Sequence, residues 1–208
     1  MPPVVLKDKI RDFVYRISMR EAVLRGSYDN TKEWLWKDLS LFPRSKRALR
    51  TLLDNVVSAR YTSQTNYDTD FLNTCIIICD EINNQANKKC FTFGNAQKFI
   101  NLYVKFFYVS TYFSANPVYF QYCHCPMDSV LLKSIWKKSK GDFKNLKIRR
   151  LEFLKSWGNE DFDIINGVIT MPKRYIAFQD AVRKQCLGIT ESVTSRTIYP
   201  LELDYCEW

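Results

Sequence analysis

The stretch that most restricts the fold of this chain runs from Asn95 to about Tyr112, NAQKFINLYVKFFYVSTY. It has helical length, and its apolar residues lie on nearly every side rather than on one stripe. A helix of that kind is buried, so the rest of the chain must wrap around it. Its one polar stripe is Lys98, Asn101 and Lys105, at spacings of three and four that put all three on one face.

The flanking segments supply helices to do the wrapping. Lys7 to Arg25 carries apolar residues at near-helical spacing and ends at Gly26 as a C-cap. A short helix holds Trp34, Leu35 and Trp36, and another is expected from Ser45 to about Arg60. Asp68 or Thr69 caps the next, which carries Phe71, Leu72, Cys75, Ile76, Cys79 and Ile82. Pro126 suits the first turn of a helix through Val130, Leu131, Ile135 and Trp136, broken at Gly141. Phe162 to Met171 mixes strand-like residues with two turn signals and stays open. Pro172 starts a last helix that Gly188 stops. The expectation is an all-α fold over 1–208: one domain built as a two-lobed helical bundle about the central helix.

With 208 residues, 46% of them hydrophobic and 15% aromatic, the chain can bury a substantial core. That composition excludes intrinsic disorder. Apolar runs such as Cys75–Cys79 are far too short for a bilayer, and Met1-Pro2-Pro3 opens no signal peptide. Seven cysteines among apolar neighbours fit reduced thiols, so a cytoplasmic protein is expected. Cys123-His124-Cys125 is the one cluster of metal character. It would need distant ligands to close a zinc site, and neither metal nor cofactor is expected.

The formal net charge is +9, and it is concentrated. Lys133, Lys137, Lys138, Lys140, Lys144, Lys147, Arg149, Arg150 and Lys155 face only Asp142 and Glu152, a local net of +7. A patch of this density, mixed with aromatics, reads as a surface for a polyanion, DNA above all.

Gly94-Asn95-Ala96-Gln97-Lys98 running into a helix, followed by Pro126-Met127-Asp128, resembles the helix-hairpin-helix superfamily of DNA glycosylases. The long interval from lysine to aspartate is most similar to the archaeal 8-oxoguanine glycosylase branch. Ala96 stands where the family's hairpin has its second glycine, and no four-cysteine iron–sulfur spacing is present.

The resemblance implies a helix-hairpin-helix-like element at the central helix and removal of a damaged or modified base from DNA by base flipping. Lys98 would be the nucleophile at the sugar C1′, with Lys105 as its rival and an associated lyase step. Asp128 would stabilise the developing positive charge or activate the nucleophile. Gly94, Asn95 and Gln97 would meet a phosphate at the helix start, and the basic window would hold the duplex. Asn101, Tyr108, Tyr112, Phe120, Tyr122 and His124 would line the base pocket, with Phe113 and Tyr119 as further stacking candidates. The protein would act as a monomer on double-stranded DNA, in repair or phage defence. Two other readings remain open. One is a non-catalytic nucleic-acid-binding module; the other is an α-helical interaction protein of phage or bacterial origin.

Overall fold

The computed structural model describes residues 3–23, 33–111, 116–193 and 197–206. For 3–7, 111, 140–142, 144, 145, 191–193 and 204–206 the backbone alone is described. Among these residues the chain forms nine α-helices and one two-stranded hairpin: α1 (Pro3–Val23), α2 (Trp34–Lys37), α3 (Pro43–Val57), α4 (Gln64–Gln85), α5 (Phe93–Thr111), α6 (Ser129–Asn145), α7 (Arg150–Phe153), β1 (Asp163–Ile165), β2 (Val168–Thr170), α8 (Lys173–Val193) and α9 (Pro200–Cys206). The fold is mainly helical, and none of the described helices is long and apolar enough to cross a membrane.

The central place expected for the apolar stretch is where α5 sits. It packs against α1 and α4, and its start packs against the short 3-10 turn Trp157–Asn159. Phe93, Ala96, Phe99, Ile100, Tyr103, Val104 and Tyr108 are all buried. Buried side chains from every one of the nine helices join a single cluster.

Several helix ends are fixed by side chains. Glu81 of α4 is buried against the first turn of α3. It accepts hydrogen bonds from Arg44 N (3.0 Å), Ser45 N (2.7 Å) and Ser45 Oγ (2.6 Å). A carboxylate there satisfies amides that have no partner within the helix and complements its dipole. At α5, Thr92 and Asn95 cap each other reciprocally: Thr92 N donates to Asn95 Oδ1 (3.3 Å) and Asn95 N to Thr92 Oγ1 (3.4 Å). At the other end of a helix, Arg174 of α8 donates to the carbonyls of Glu152, Phe153 and Lys155, closing the end of α7.

Several boundaries differ from expectation. α4 begins at Gln64 under the cap Ser63, so Asp68 lies one turn inside the helix. α6 begins at Ser129, not Pro126, and Asp128 is its cap, accepting from Val130 N (2.9 Å) and Leu131 N (3.0 Å). The interruption of α6 falls at Ser139 (φ −121°, ψ 19°), two residues before the expected Gly141. α8 runs straight through Gly188, because an exposed helix interior tolerates a glycine at a cost of about 1 kcal/mol. The open segment is a β-hairpin turned at Asn166-Gly167, both with positive φ (52° and 79°). That pair of left-handed residues is what a two-residue hairpin turn requires. Gly26 lies outside the described residues.

Candidate functional site

Gly94 is not part of a hairpin. It lies in the first turn of α5 with an ordinary helical backbone. Its missing side chain serves packing instead: a Cβ there would come within 1.7 Å of the Trp157 carbonyl oxygen and 2.7 Å of the Trp157 carbonyl carbon. Two hydrogen bonds stitch this contact, Gly94 N to Glu160 O and Thr92 Oγ1 to Gly158 O, both 2.9 Å. The Gly94 amide is thus occupied by the protein itself. Asn95 and Gln97 are buried as well. Asn95 Nδ2 donates to Ala22 O (3.3 Å), and Gln97 Nε2 to Gly94 O (3.0 Å). These three residues build the scaffold of the site rather than its surface.

Gln97 has a second task. Its Nε2 donates to Met127 O and its Oε1 accepts from Met127 N, each at 3.1 Å. From the other side Gln179 of α8 grips Cys125 in the same manner, Nε2 to Cys125 O (2.7 Å) and Cys125 N to Oε1 (3.0 Å). Two buried amide side chains therefore imitate neighbouring strands and hold the segment Cys123–Met127 in place. The following residue is Asp128, the cap of α6. The residue after Gln97 is Lys98. The start of α5 and the start of α6 are joined through one glutamine, with the candidate lysine and carboxylate each one residue beyond the joint.

Lys98 is half-buried, and its Nζ lies 4.6 Å from the centre of the Trp157 ring. The negative ring face stabilises an ammonium there, so the glycine contact that brings up Trp157 also gives the lysine its neighbour. Asp128 is half-buried, and Lys105, two turns further along α5, is half-buried too.

The residues expected around an extruded base are mostly interior. Asn101, Tyr108, Phe120 and His124 are buried, Tyr122 is half-buried and Tyr112 lies outside the described residues, as does Phe113. Tyr108 Oη donates to Glu202 Oε1 of α9 (2.6 Å), and Phe120 meets the Tyr108 ring edge-on at 5.0 Å. Tyr122 Oη donates to Thr62 O (3.2 Å). These side chains hold elements together.

His124 stands at the middle of a buried polar chain that the sequence reading did not foresee. Its Nε2 is 2.8 Å from Asp68 Oδ1 and its Nδ1 2.9 Å from Tyr175 Oη. Asn101 Nδ2 donates to Tyr175 Oη (3.0 Å). One tautomer satisfies every link: Tyr175 donates to Nδ1, and Nε2–H donates to the carboxylate. The 3.3 Å approach of Gln64 Nε2 to His124 Nε2 is then a contact, while Gln64 donates to Asp68 Oδ1 (2.7 Å) and Tyr122 O (3.0 Å). Burial lowers the His124 pKa to about 4, against the partial opposition of the Asp68 hydrogen bond. Burial acts to raise the Asp68 pKa, but its hydrogen bonds with His124 and Gln64 outweigh that and leave it below the ordinary value. His124 is neutral, and it anchors the Cys123–Met127 segment to α4 and α8. A sequence signal existed for this: Asn101, Gln97 and Gln179 are amides inside otherwise apolar helical patterns, and such groups need partners.

The basic window is where it was expected, on the outside. Lys133, Lys137, Lys138, Lys147, Arg149, Arg150 and Lys155 are all exposed, while the side chains of Lys140 and Lys144 lie outside those described. Among the described residues no three His, Cys, Asp or Glu side chains converge to hold a metal ion. A groove of about 470 Å³ lies between α3 and α4, lined by Arg44, Arg47, Asn55 and Asp70 among others, and neither Lys98 nor Asp128 borders it. No family model matches the chain, and neither the curated proteins nor the solved structures contain a match to it.

Proposed function

We propose that this protein is a DNA glycosylase that removes a damaged or modified base, with Lys98 as nucleophile and Asp128 as its carboxylate partner. The observation that supports this reading most is the joint through Gln97 and Met127, which fixes the starts of α5 and α6 to each other. Exposed Lys133 and Lys137 lie on the same helix that Asp128 caps, so a bound phosphate backbone would run past the candidate pair. A two-lobed arrangement with the cleft at this joint belongs to the same proposal.

In the reaction the lysine amine forms a bond to the sugar C1′ while the bond from C1′ to the base nitrogen breaks, and the base leaves with its electron pair. Attack requires the neutral amine, and the Trp157 ring 4.6 Å from Nζ favours the ammonium, so a proton must pass to an acceptor first. Asp128 serves as that acceptor and then faces the positive charge that develops on the sugar. The attached nitrogen then loses a proton and the C1′–O4′ bond opens, its oxygen taking up a proton, which leaves a Schiff base; loss of a C2′ proton and departure of the 3′-phosphate from it cleave the strand. The base itself is extruded from the stack, at a cost of a few kcal/mol. An oxidised purine and a bulky modified pyrimidine are the two substrate classes to present.

Borohydride reduction during incubation with DNA carrying such bases traps the covalent intermediate. Lys98→Ala is expected to abolish the adduct, whereas its persistence would move the role to Lys105. Absence of base release from every modified DNA would end the glycosylase reading. Binding to undamaged duplex is expected to weaken with salt, and Arg149→Ala with Arg150→Ala to reduce the slope by about 1–2. An unchanged slope would take DNA away from this face.

A further inference from the structure

The groove between α3 and α4 touches neither the candidate pair nor the basic window, and its lining changes character along its length. The two helices run antiparallel. Glu81 pins one end to the first turn of α3, and Asn55 Nδ2 donates to Asp70 Oδ2 (3.3 Å) at the other. The volume of about 470 Å³ lies within the range of small-molecule sites.

One end is cationic. Arg44 and Arg47 line it, both exposed, and no carboxylate among the described residues pairs with either guanidinium group. The cations beside them are engaged: Lys46 with Asp12 (2.7 Å) and Arg50 with Asp8 (3.1 Å). The first amides of α3 are taken by buried Glu81. An anion at this end is therefore met by the two arginine forks, whose geometry suits a phosphate.

The middle is apolar, lined by Ala48, Leu52 and Ile77. The far end is polar again and incompletely satisfied. Asp70 Oδ2 accepts from Asn55 and from Tyr61 Oη (2.9 Å), whereas its Oδ1 has no donor from the groove among the described residues. Asn73, exposed one turn along α4, has no hydrogen-bond partner among them either. Arg47 and Asn55 are eight residues apart on one helix, which separates the two ends by about 12 Å.

That order of surfaces selects the ligand. A sugar phosphate would leave the apolar middle facing water. An acyl phosphate would leave Asp70 and Asn73 without partners. A nucleotide satisfies all three parts: a phosphate, a ring with apolar faces and a hydrogen-bonding ring edge. A carboxylate accepts from the exocyclic amine of cytosine, and an amide side chain pairs with the amino edge of adenine.

We infer that the α3–α4 groove binds a nucleoside 5′-monophosphate with an amino-bearing base. Arg44 and Arg47 hold the phosphate, Leu52 and Ile77 cover the base, and Asp70 Oδ1 and Asn73 meet its amino edge. Because neither Lys98 nor Asp128 borders the groove, the site is independent of the glycosylase reading.

Isothermal titration calorimetry tests it with cytidine, adenosine and uridine monophosphates, with cytidine and with ribose 5-phosphate. Wild type is expected to bind the cytidine or adenosine nucleotide about tenfold more tightly than the other three, the worth of one charge-assisted hydrogen bond. Arg44→Gln/Arg47→Gln should reduce the nucleotide to the affinity of the nucleoside. Asn73→Ala should weaken the amino-bearing nucleotides severalfold, and Asp70→Asn should narrow their advantage over uridine monophosphate. Arg44, Arg47 and Asn73 are exposed, so their variants are expected to melt within about 2 °C of wild type. Arg149→Ala/Arg150→Ala, on the basic window, should bind as wild type does. No binding of any nucleotide at millimolar concentration overturns the site. So does ribose 5-phosphate binding as tightly as the nucleotides, or a loss in the Arg149/Arg150 variant with none in the Arg44/Arg47 variant. A 5′-phosphorylated oligonucleotide binding through Arg44 and Arg47 more tightly than the free nucleotide overturns the small-molecule assignment.

Discussion

Two glycines that both lie inside helices should respond to alanine with opposite signs. Helix propensity alone predicts stabilisation at each, by about 1 kcal/mol. At Gly188 of α8 nothing stands within 4 Å of the added Cβ, so Gly188→Ala is expected to realise that gain. At Gly94 of α5 the Cβ would lie 1.7 Å from one backbone atom and 2.7 Å from another, both of Trp157. Neither can rotate away, so the 157–160 segment must move off the helix. Overpacking of this kind costs about 3 kcal/mol at the upper end of its range. Separation also removes the Gly94 N to Glu160 O hydrogen bond, worth about 1 kcal/mol. Less the propensity gain, Gly94→Ala should destabilise by about 3 kcal/mol. For a chain of this size that lowers the melting temperature by about 6–12 °C, while Gly188→Ala raises it by about 2–4 °C. Differential scanning calorimetry of the two variants decides it. The reasoning is refuted if both shift in the same direction, or if Gly94→Ala moves the midpoint by less than about 2 °C.

The buried carboxylate at the start of α3 gives a second expectation: Glu81→Ala strands Arg44 N, Ser45 N and Ser45 Oγ and should cost about 2–4 kcal/mol in urea denaturation, with Glu81→Gln losing roughly half. Acid should erode the fold through His124. Its folded pKa, about 4, lies below the unfolded value of 6.5, so the unfolded state binds the proton first as pH falls. Stability then declines from pH 6.5 down to about 4 and levels below, by up to about 3 kcal/mol. The depressed Asp68 acts in the same direction at still lower pH. His124→Asn should flatten the upper part of that decline, as read from melting temperatures at pH 7, 6, 5 and 4.

The central helix was legible because burial on all sides leaves its mark on composition: no polar face remains for water. The helical class and the exposed basic window were legible for the same kind of reason, each being a property of the local sequence. What could not be read is contact across the chain. Gly94 before a lysine suggests a turn, and nothing local reveals that a carbonyl from residue 157 occupies the space its side chain would fill. Asp68 looks like a cap because aspartates often are, but its partner is His124, more than fifty residues on. Pro126 looks like a helix start, yet the glutamines at 97 and 179 take up the backbone groups on either side of it and the helix begins only at Ser129. Gly188 is the converse case: a glycine suggests a helix end, and α8 runs on through it to Val193.

The two glutamine clasps on the Cys123–Met127 segment also say something about when this protein acquires its candidate pair. The Gln97 clasp needs α5 in place and the Gln179 clasp needs α8, which enter the chain far apart, so the segment is held from both sides only when both have docked. A half-folded chain would own Lys98 and Asp128 but not their spacing. The amide protons of Cys125 and Met127 should accordingly exchange with solvent only when the whole molecule opens. The candidate arrangement would appear and vanish with the global transition, and no partly folded species would hold it.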